Sequence, residues 1–77
     1  MNKIKITVKL FATLRENRGK ILNLDFEENV TPQKIIEYLQ IDNKDVAILL
    51  VNGRDGSLNQ NLQENDIISI FPPVGGG

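Results

Sequence analysis

The chain has 77 residues, 40% apolar and 25% charged, with net charge −1 and no cysteine, histidine or tryptophan. That length accommodates one domain and not two, and a domain of this size buries little more than ~60% of its unfolded surface, so the core is thin. Without cysteine there is no disulfide framework or thiolate metal site; without histidine the usual general base and the commonest nitrogen ligand are missing. Neither a metalloenzyme nor a self-sufficient hydrolase is expected.

Such a composition suits a reducing, cytoplasmic setting. The first ten residues, MNKIKITVKL, space lysines through the apolar positions and offer no signal-peptide core. No run of 18 apolar residues occurs, so no membrane span is expected. Residues 1–20 carry a net charge of +5 and the remainder −6. Lacking a Lys/Arg-rich run and the aromatics to stack bases, the basic end reads as a solvated strand face rather than a nucleic-acid site. A basic patch for an acidic protein partner is the alternative.

In residues 3–11, Ile4, Ile6, Val8 and Leu10 alternate with Lys3, Lys5, Thr7 and Lys9, the period of a half-buried strand. Thr13 and Glu16 have capping-box spacing, which predicts a helical turn closed by Gly19. Leu22, Leu24 and Phe26 form the apolar face of a second strand, reached by a loop longer than a two-residue hairpin. Thr31-Pro32 marks a helix start, with threonine as cap, proline at the first position, and Val30 and Ile35 as a hydrophobic staple. The same reading makes Asn29-Val30-Thr31 a helix entrance instead of a glycosylation site. The stripe Ile35, Ile36 and Leu39 carries the helix to about Gln40, before a polar turn over residues 42–45.

Val46 to Val51 is continuously apolar, the pattern of a strand covered on both faces. Asn52-Gly53 and Asp55-Gly56 signal tight turns, a short strand is expected around 57–62, and Ile67 to Phe71 form the last strand. One helix over a mixed four- to five-stranded sheet is an α+β arrangement of the ubiquitin-like β-grasp kind. The domain spans residues 1–71, leaving residues 72–77 as an extended tail.

The chain has no glycine-rich phosphate loop and no nucleophile elbow. Glu27, Glu28, Asp42, Asp45, Asp55 and Asp66 lie at loops where acids are ordinarily solvated, and Tyr38 reads as helix surface or core edge. The unusual segment is Phe71-Pro72-Pro73-Val74-Gly75-Gly76-Gly77. Two prolines stop sheet pairing and favour an extended stem, and six residues beyond Phe71 reach at most ~20 Å. Glycines without Cβ atoms let a backbone thread a narrow channel and approach another molecule closely.

The stretch Leu10-Phe11-Ala12-Thr13-Leu14-Arg15-Glu16 resembles the Leu-Phe-Ala-x-Leu-Arg-Glu motif of the molybdopterin synthase small-subunit family, the MoaD type of sulfur carrier. The ending resembles that family's Pro-Pro-Val-x-Gly-Gly terminus, and the similarity takes in Val51-Asn52-Gly53 and Glu64-Asn65-Asp66. Gly75 departs from the family's alanine or serine, and Asn65 from its usual glycine.

The resemblance implies a carrier, not a free-standing enzyme. Gly77 would be adenylated by a ubiquitin-activating-like adenylyltransferase of the MoeB type using ATP and magnesium. With a sulfur donor it would then become a thiocarboxylate, and with a MoaE-type large subunit it would deliver sulfur to a pterin precursor. The chain itself would bind no cofactor. An α-carboxyl group of ordinary pKa ~3.5 is an unreactive carboxylate at neutral pH, so activation must come from a partner that receives Pro72, Pro73, Val74, Gly75 and Gly76.

Parity turns Ile67, Ser69 and Phe71 outward when Ile68 and Ile70 face the helix, making Phe71 and Ile67 candidate partner contacts. Phe11 also points away from the core face, either to join that patch or to pack under its own loop. Three other readings remain: a ThiS-type carrier for thiamine thiazole synthesis, a ubiquitin-like modifier joined through Gly77, and a non-covalent binding module.

Overall fold

The computed structural model describes residues 2–74; the readings placed on Gly75, Gly76 and Gly77 lie outside the described residues. Strand β1 (Lys3–Leu10) alternates as its sequence requires, burying Ile4, Ile6, Val8 and Leu10. It pairs antiparallel with β2 (Ile21–Glu27) and parallel with β5 (Ile67–Phe71). Strand β5 pairs antiparallel with β3 (Ile48–Val51), which carries the two-residue β4 (Arg54–Asp55) on its other edge. The order β2-β1-β5-β3-β4 is that of a five-stranded mixed sheet, and with one α-helix the fold is an α+β, ubiquitin-like β-grasp.

Helix α1 (Pro32–Tyr38) begins as the sequence predicts: the Thr31 hydroxyl accepts the Lys34 amide at 3.3 Å, and Pro32 takes the first position. Val30 and Ile35 are both buried in the common core. The helix ends in a Schellman arrangement. The Gln40 amide donates to Glu37 (3.0 Å) and the Ile41 amide to Ile36 (3.0 Å), with Gln40 held at φ +60°. Arg18, from the β1–β2 loop, covers the same helix end. Its Nε donates to the Leu39 carbonyl (3.0 Å), Nη2 to Gln40 (3.2 Å) and Nη1 to Leu14 (3.2 Å).

Three local expectations are corrected. The turn after β1 is a 3₁₀ helix over Ala12–Arg15 with Phe11 at its N-cap, not a capping box on Thr13. Phe11 is fixed by a distant aromatic ring, described below, so the chain turns two residues before the threonine cap would need. The turn still closes through the Gly19 amide, which donates to the Arg15 carbonyl at 2.9 Å. Strand β3 is not covered on both faces: Leu49 and Val51 are buried, whereas Ile48 is 50% exposed. It is interior by hydrogen bonding alone, since α1 covers one face of the sheet only. The extra strand is Arg54–Asp55, and residues 57–62 form none.

The reason lies at the hairpin. Asn52 (φ +53°) and Gly53 (φ +83°) make the tight reversal that sends Arg54 back along Val51. At Gly56 a Cβ would sit 2.5 Å from Val51 Cγ2, so the backbone passes too close to continue a pleated strand. The following segment instead docks on the helix entrance. The Gln33 amide donates to Leu58 (3.0 Å), the Leu62 amide donates to Val30 (2.8 Å), and Leu62 is buried. Asp66 is more than a solvated loop acid, because it accepts from Asn52 Nδ2 (2.9 Å) and the Gln63 amide (2.8 Å). Asn65 sits at φ +72°, the backbone region that glycine enters without strain and asparagine tolerates best among the rest.

Two substitutions check this account. A left-handed position costs a side-chain-bearing residue roughly 1–2 kcal/mol, so Gln40→Gly should raise unfolding free energy by about 1 kcal/mol in urea titration. Arg18→Ala should lower it by about 1.5–3 kcal/mol, the range for charge-assisted hydrogen bonds, with Arg18→Lys recovering only part.

Candidate functional site

The parallel register Leu10↔Ile70 carries both strands to the same end of the sheet, so the residues that leave it, Phe11 and Phe71, emerge side by side. Their rings stack with centroids 4.1 Å apart and planes 10° from parallel. Both aromatics singled out as partner contacts thus belong to one unit, and Phe11 joins the strand-end phenylalanine while its own loop also reaches over it. The guanidinium of Arg15 lies over the Phe11 ring, 5.2 Å from its centroid. Arg15 Nε donates to the Leu10 carbonyl at 2.7 Å, which ties the cation to the end of β1.

Strand β5 ends at Phe71, whose carbonyl accepts the Ala47 amide at 2.8 Å. Pro72 has no amide with which to prolong the ladder. It is half-buried against the domain, while Pro73 is exposed and Val74 is 93% exposed. The stem therefore departs from the sheet immediately beside the stacked rings.

Outward-facing neighbours extend the apolar surface. Ile48 is paired with Phe71 in register, Leu50 with Ser69, Ile67 with Thr7, and Ile21 with Lys9. Ile21, Ile48 and Ile67 are exposed. Ile67 was expected on this face; Ile48 and Leu50 were hidden by reading β3 as buried on both sides, and Ile21 precedes the alternation that defines β2. Parity along β3 was the signal for the first two. For Arg15 the sequence offered only its place in the Leu10–Glu16 motif.

The sheet partitions the basic residues of the first twenty positions. Lys3 pairs with Glu27 at 3.4 Å, the only ion pair within 4 Å among the described residues. Lys5 stands opposite Asp25 in register, and Arg18 is occupied by carbonyls. Lys9, Arg15 and Lys20 remain at the Phe11 end without an ion-pair partner among the described residues. Elsewhere, a cleft of about 540 Å³ lined by Asn52, Arg54, Asp55, Gln60 and Gln63 lies at the hairpin, the opposite end of β3 from Phe71. Among the described residues no acid cluster is placed to hold a metal ion, and no helix is long and apolar enough to cross a membrane.

Comparison with solved structures agrees with this architecture. A Pyrococcus furiosus protein designated molybdopterin converting factor subunit 1 superposes with TM-score 0.78 at 25% identity, over 92% of this chain and 99% of that one. The small archaeal modifier protein 1 of Methanosarcina acetivorans gives TM-score 0.66 at 27% identity over 100% of both chains. The Helicobacter pylori complex of subunits 1 and 2 of molybdopterin-converting factor contains a chain with the same fold. It matches with TM-score 0.61 at 24% identity, over 96% of this chain and 100% of that one. No curated protein sequence matches. The model of the ThiS family matches residues 8–77, nearly the whole molecule, and the chain belongs to that family.

Proposed function

We propose that this protein is a sulfur carrier for molybdopterin synthesis, acting as the small subunit of the synthase. Family membership supports the carrier class, and the Pyrococcus relative supports the pathway. The observation that carries the reading is the geometry at Phe71. An apolar platform sits beside the point where Pro72 leaves the sheet, so one docking event fixes the direction in which the following residues travel.

The chemistry assigned to Gly77 follows from its functional group. In an adenylating partner, a carboxylate oxygen attacks the α-phosphorus of magnesium-bound ATP and diphosphate departs. A sulfur nucleophile, supplied by the donor at the sulfide level, then displaces AMP at the carbonyl and leaves a thiocarboxylate. In the complex with a large subunit, sulfur passes to the pterin precursor and water restores the carboxylate. That partner class is carried over from the Helicobacter complex, in which subunit 1 is bound to subunit 2. Gly76 and Gly77 keep the attacked carbonyl free of side-chain obstruction.

The modifier reading has an observation of its own, the full-length match to the Methanosarcina modifier protein. The two readings share activation and divide at the acceptor: a sulfur nucleophile in one, a lysine amine in the other.

Co-expression with its activating enzyme and a sulfur donor should yield a fraction heavier by one oxygen-to-sulfur exchange at Gly77, detected by intact mass. Persistent absence of that species counts against the carrier, whereas lysine peptides bearing a glycine remnant in native lysate favour the modifier. Gly76→Val should slow adenylation roughly 10- to 100-fold through misplacement of the reacting carboxylate, with the thermal midpoint unchanged. Equal rates for the two proteins would remove Gly76 from the proposed threading path.

A further inference from the structure

The sheet face that carries the half-buried Phe11–Phe71 platform is electrically lopsided. On its β1–β2 side stand Lys9, Arg15 and Lys20, none of them ion-paired among the described residues. On its far side Asp55 stands opposite Leu50. Glu16, the one acid in the first twenty residues, lines a recess with Asn17, Arg18, Leu39 and Gln40 rather than pairing with Arg15.

Arg15 is the best placed of these cations. Its Nε is committed to the Leu10 carbonyl and its plane is held over the Phe11 ring, so the side chain is already ordered. Nη1 and Nη2 have no hydrogen-bond partner among the described residues, and the residue is exposed. A guanidinium fixed at one nitrogen and open at the others is a preorganised fork, and the group it fits in two-point fashion is a carboxylate or a phosphate. The surroundings choose between them. Phe71 occupies one face of the Phe11 ring and Arg15 also lies over that ring, leaving little aromatic surface for a nucleic-acid base to stack on. Nearest the stack on this face are Ile48, paired with Phe71, and Ile21, paired with Lys9; both are exposed and suit an apolar protein surface.

We propose that the adenylating partner, docked on the Phe11–Phe71 platform, presents a carboxylate that seats on the Arg15 fork, with its acidic rim turned toward Lys9 and Lys20. The polarity fixes one orientation: rotating the partner by half a turn over the platform would bring its acids against Asp55. Arg15 thereby selects which apolar surfaces dock productively, while the stacked rings supply the contact area. This rests on the platform being the docking surface of the proposed carrier.

The test titrates the full chain with the adenylating enzyme encoded in its own genome, at about 50 mM and about 500 mM salt, conditions that bracket the screening of exposed charges. Arg15→Ala should weaken binding on the order of tenfold at low salt, with the difference shrinking at high salt. Arg15→Lys keeps the charge but loses the fork, and should recover the salt dependence but only part of the affinity. Lys9→Ala with Lys20→Ala should flatten the remaining salt dependence. Phe71→Leu, which keeps apolar bulk but removes the stack, should weaken binding equally at both salt concentrations. Thermal midpoints measured beside each titration separate lost contacts from lost folding. If Phe71→Leu weakens binding while Arg15→Ala changes neither affinity nor its salt dependence, the carboxylate contact is wrong and the platform stands. If Phe71→Leu binds as the parent does, the platform reading fails and this inference with it.

Discussion

The parallel pairing of β1 with β5 is the constraint on which the rest of the molecule depends. It joins residues 7–10 to residues 67–70, nearly the full length of the chain apart, and places Val8, Leu10, Ile68 and Ile70 in the core with no measurable exposure. Two parallel strands cannot be joined by a tight turn, so everything between them has to act as the crossover. Strand β2 and helix α1 supply one side of it, and the β3–β4 hairpin supplies the other. The same pairing delivers the site. Parallel strands exit a sheet at the same end, so the residue following β1 must emerge beside the last residue of β5. An antiparallel pairing of the same strands would put Phe11 and Phe71 at opposite ends.

From that juxtaposition the two faces of the sheet acquire different work. The inner face is closed by α1, itself pinned at its end by Arg18, and holds the buried aliphatic side chains. The outer face divides along its length. Toward the open end of β1 the charges answer one another, Lys3 with Glu27 and Lys5 opposite Asp25. Toward the Phe11 end they do not, and apolar side chains take over. Exposed ion pairs contribute little to stability, so this arrangement is better understood as positioning of polarity than as reinforcement.

What could be read in the sequence was what neighbouring residues decide among themselves. Thr31-Pro32 makes a helix start from its own hydroxyl and ring, and Asn52-Gly53 makes a reversal from its own backbone preferences; both stand in the structure as expected. Alternation in β1 and β5 likewise settled which side chains face inward. The failures have a common cause in contacts between distant residues. Thr13 and Glu16 have the spacing of a capping box, but Phe11 is claimed by a ring sixty residues away and takes the cap position instead. Strand β3 looks doubly covered because Ile48 and Leu50 are as apolar as Leu49 and Val51, and composition alone does not say that only one face has a helix. Parity placed Phe11 and Phe71 on the outer side, but only topology could say that they meet.

The absence of histidine and cysteine acquires a positive meaning in a carrier. A delivered group is best held by a chain with no thiol of its own, since a thiol within reach of an activated carboxyl would divert it. Specificity must then reside in the handle. Affinity rises when a docking surface is ordered before contact, because fewer side chains lose freedom on binding. The Phe11–Phe71 stack, with Arg15 tied to the Leu10 carbonyl, is ordered in that sense, and Pro72 extends the order one step into the stem. Order at the root sets direction, while Pro73 and Val74 are exposed. Order and exposure thus meet at adjoining residues, and the end of β5 is where this fold places them together.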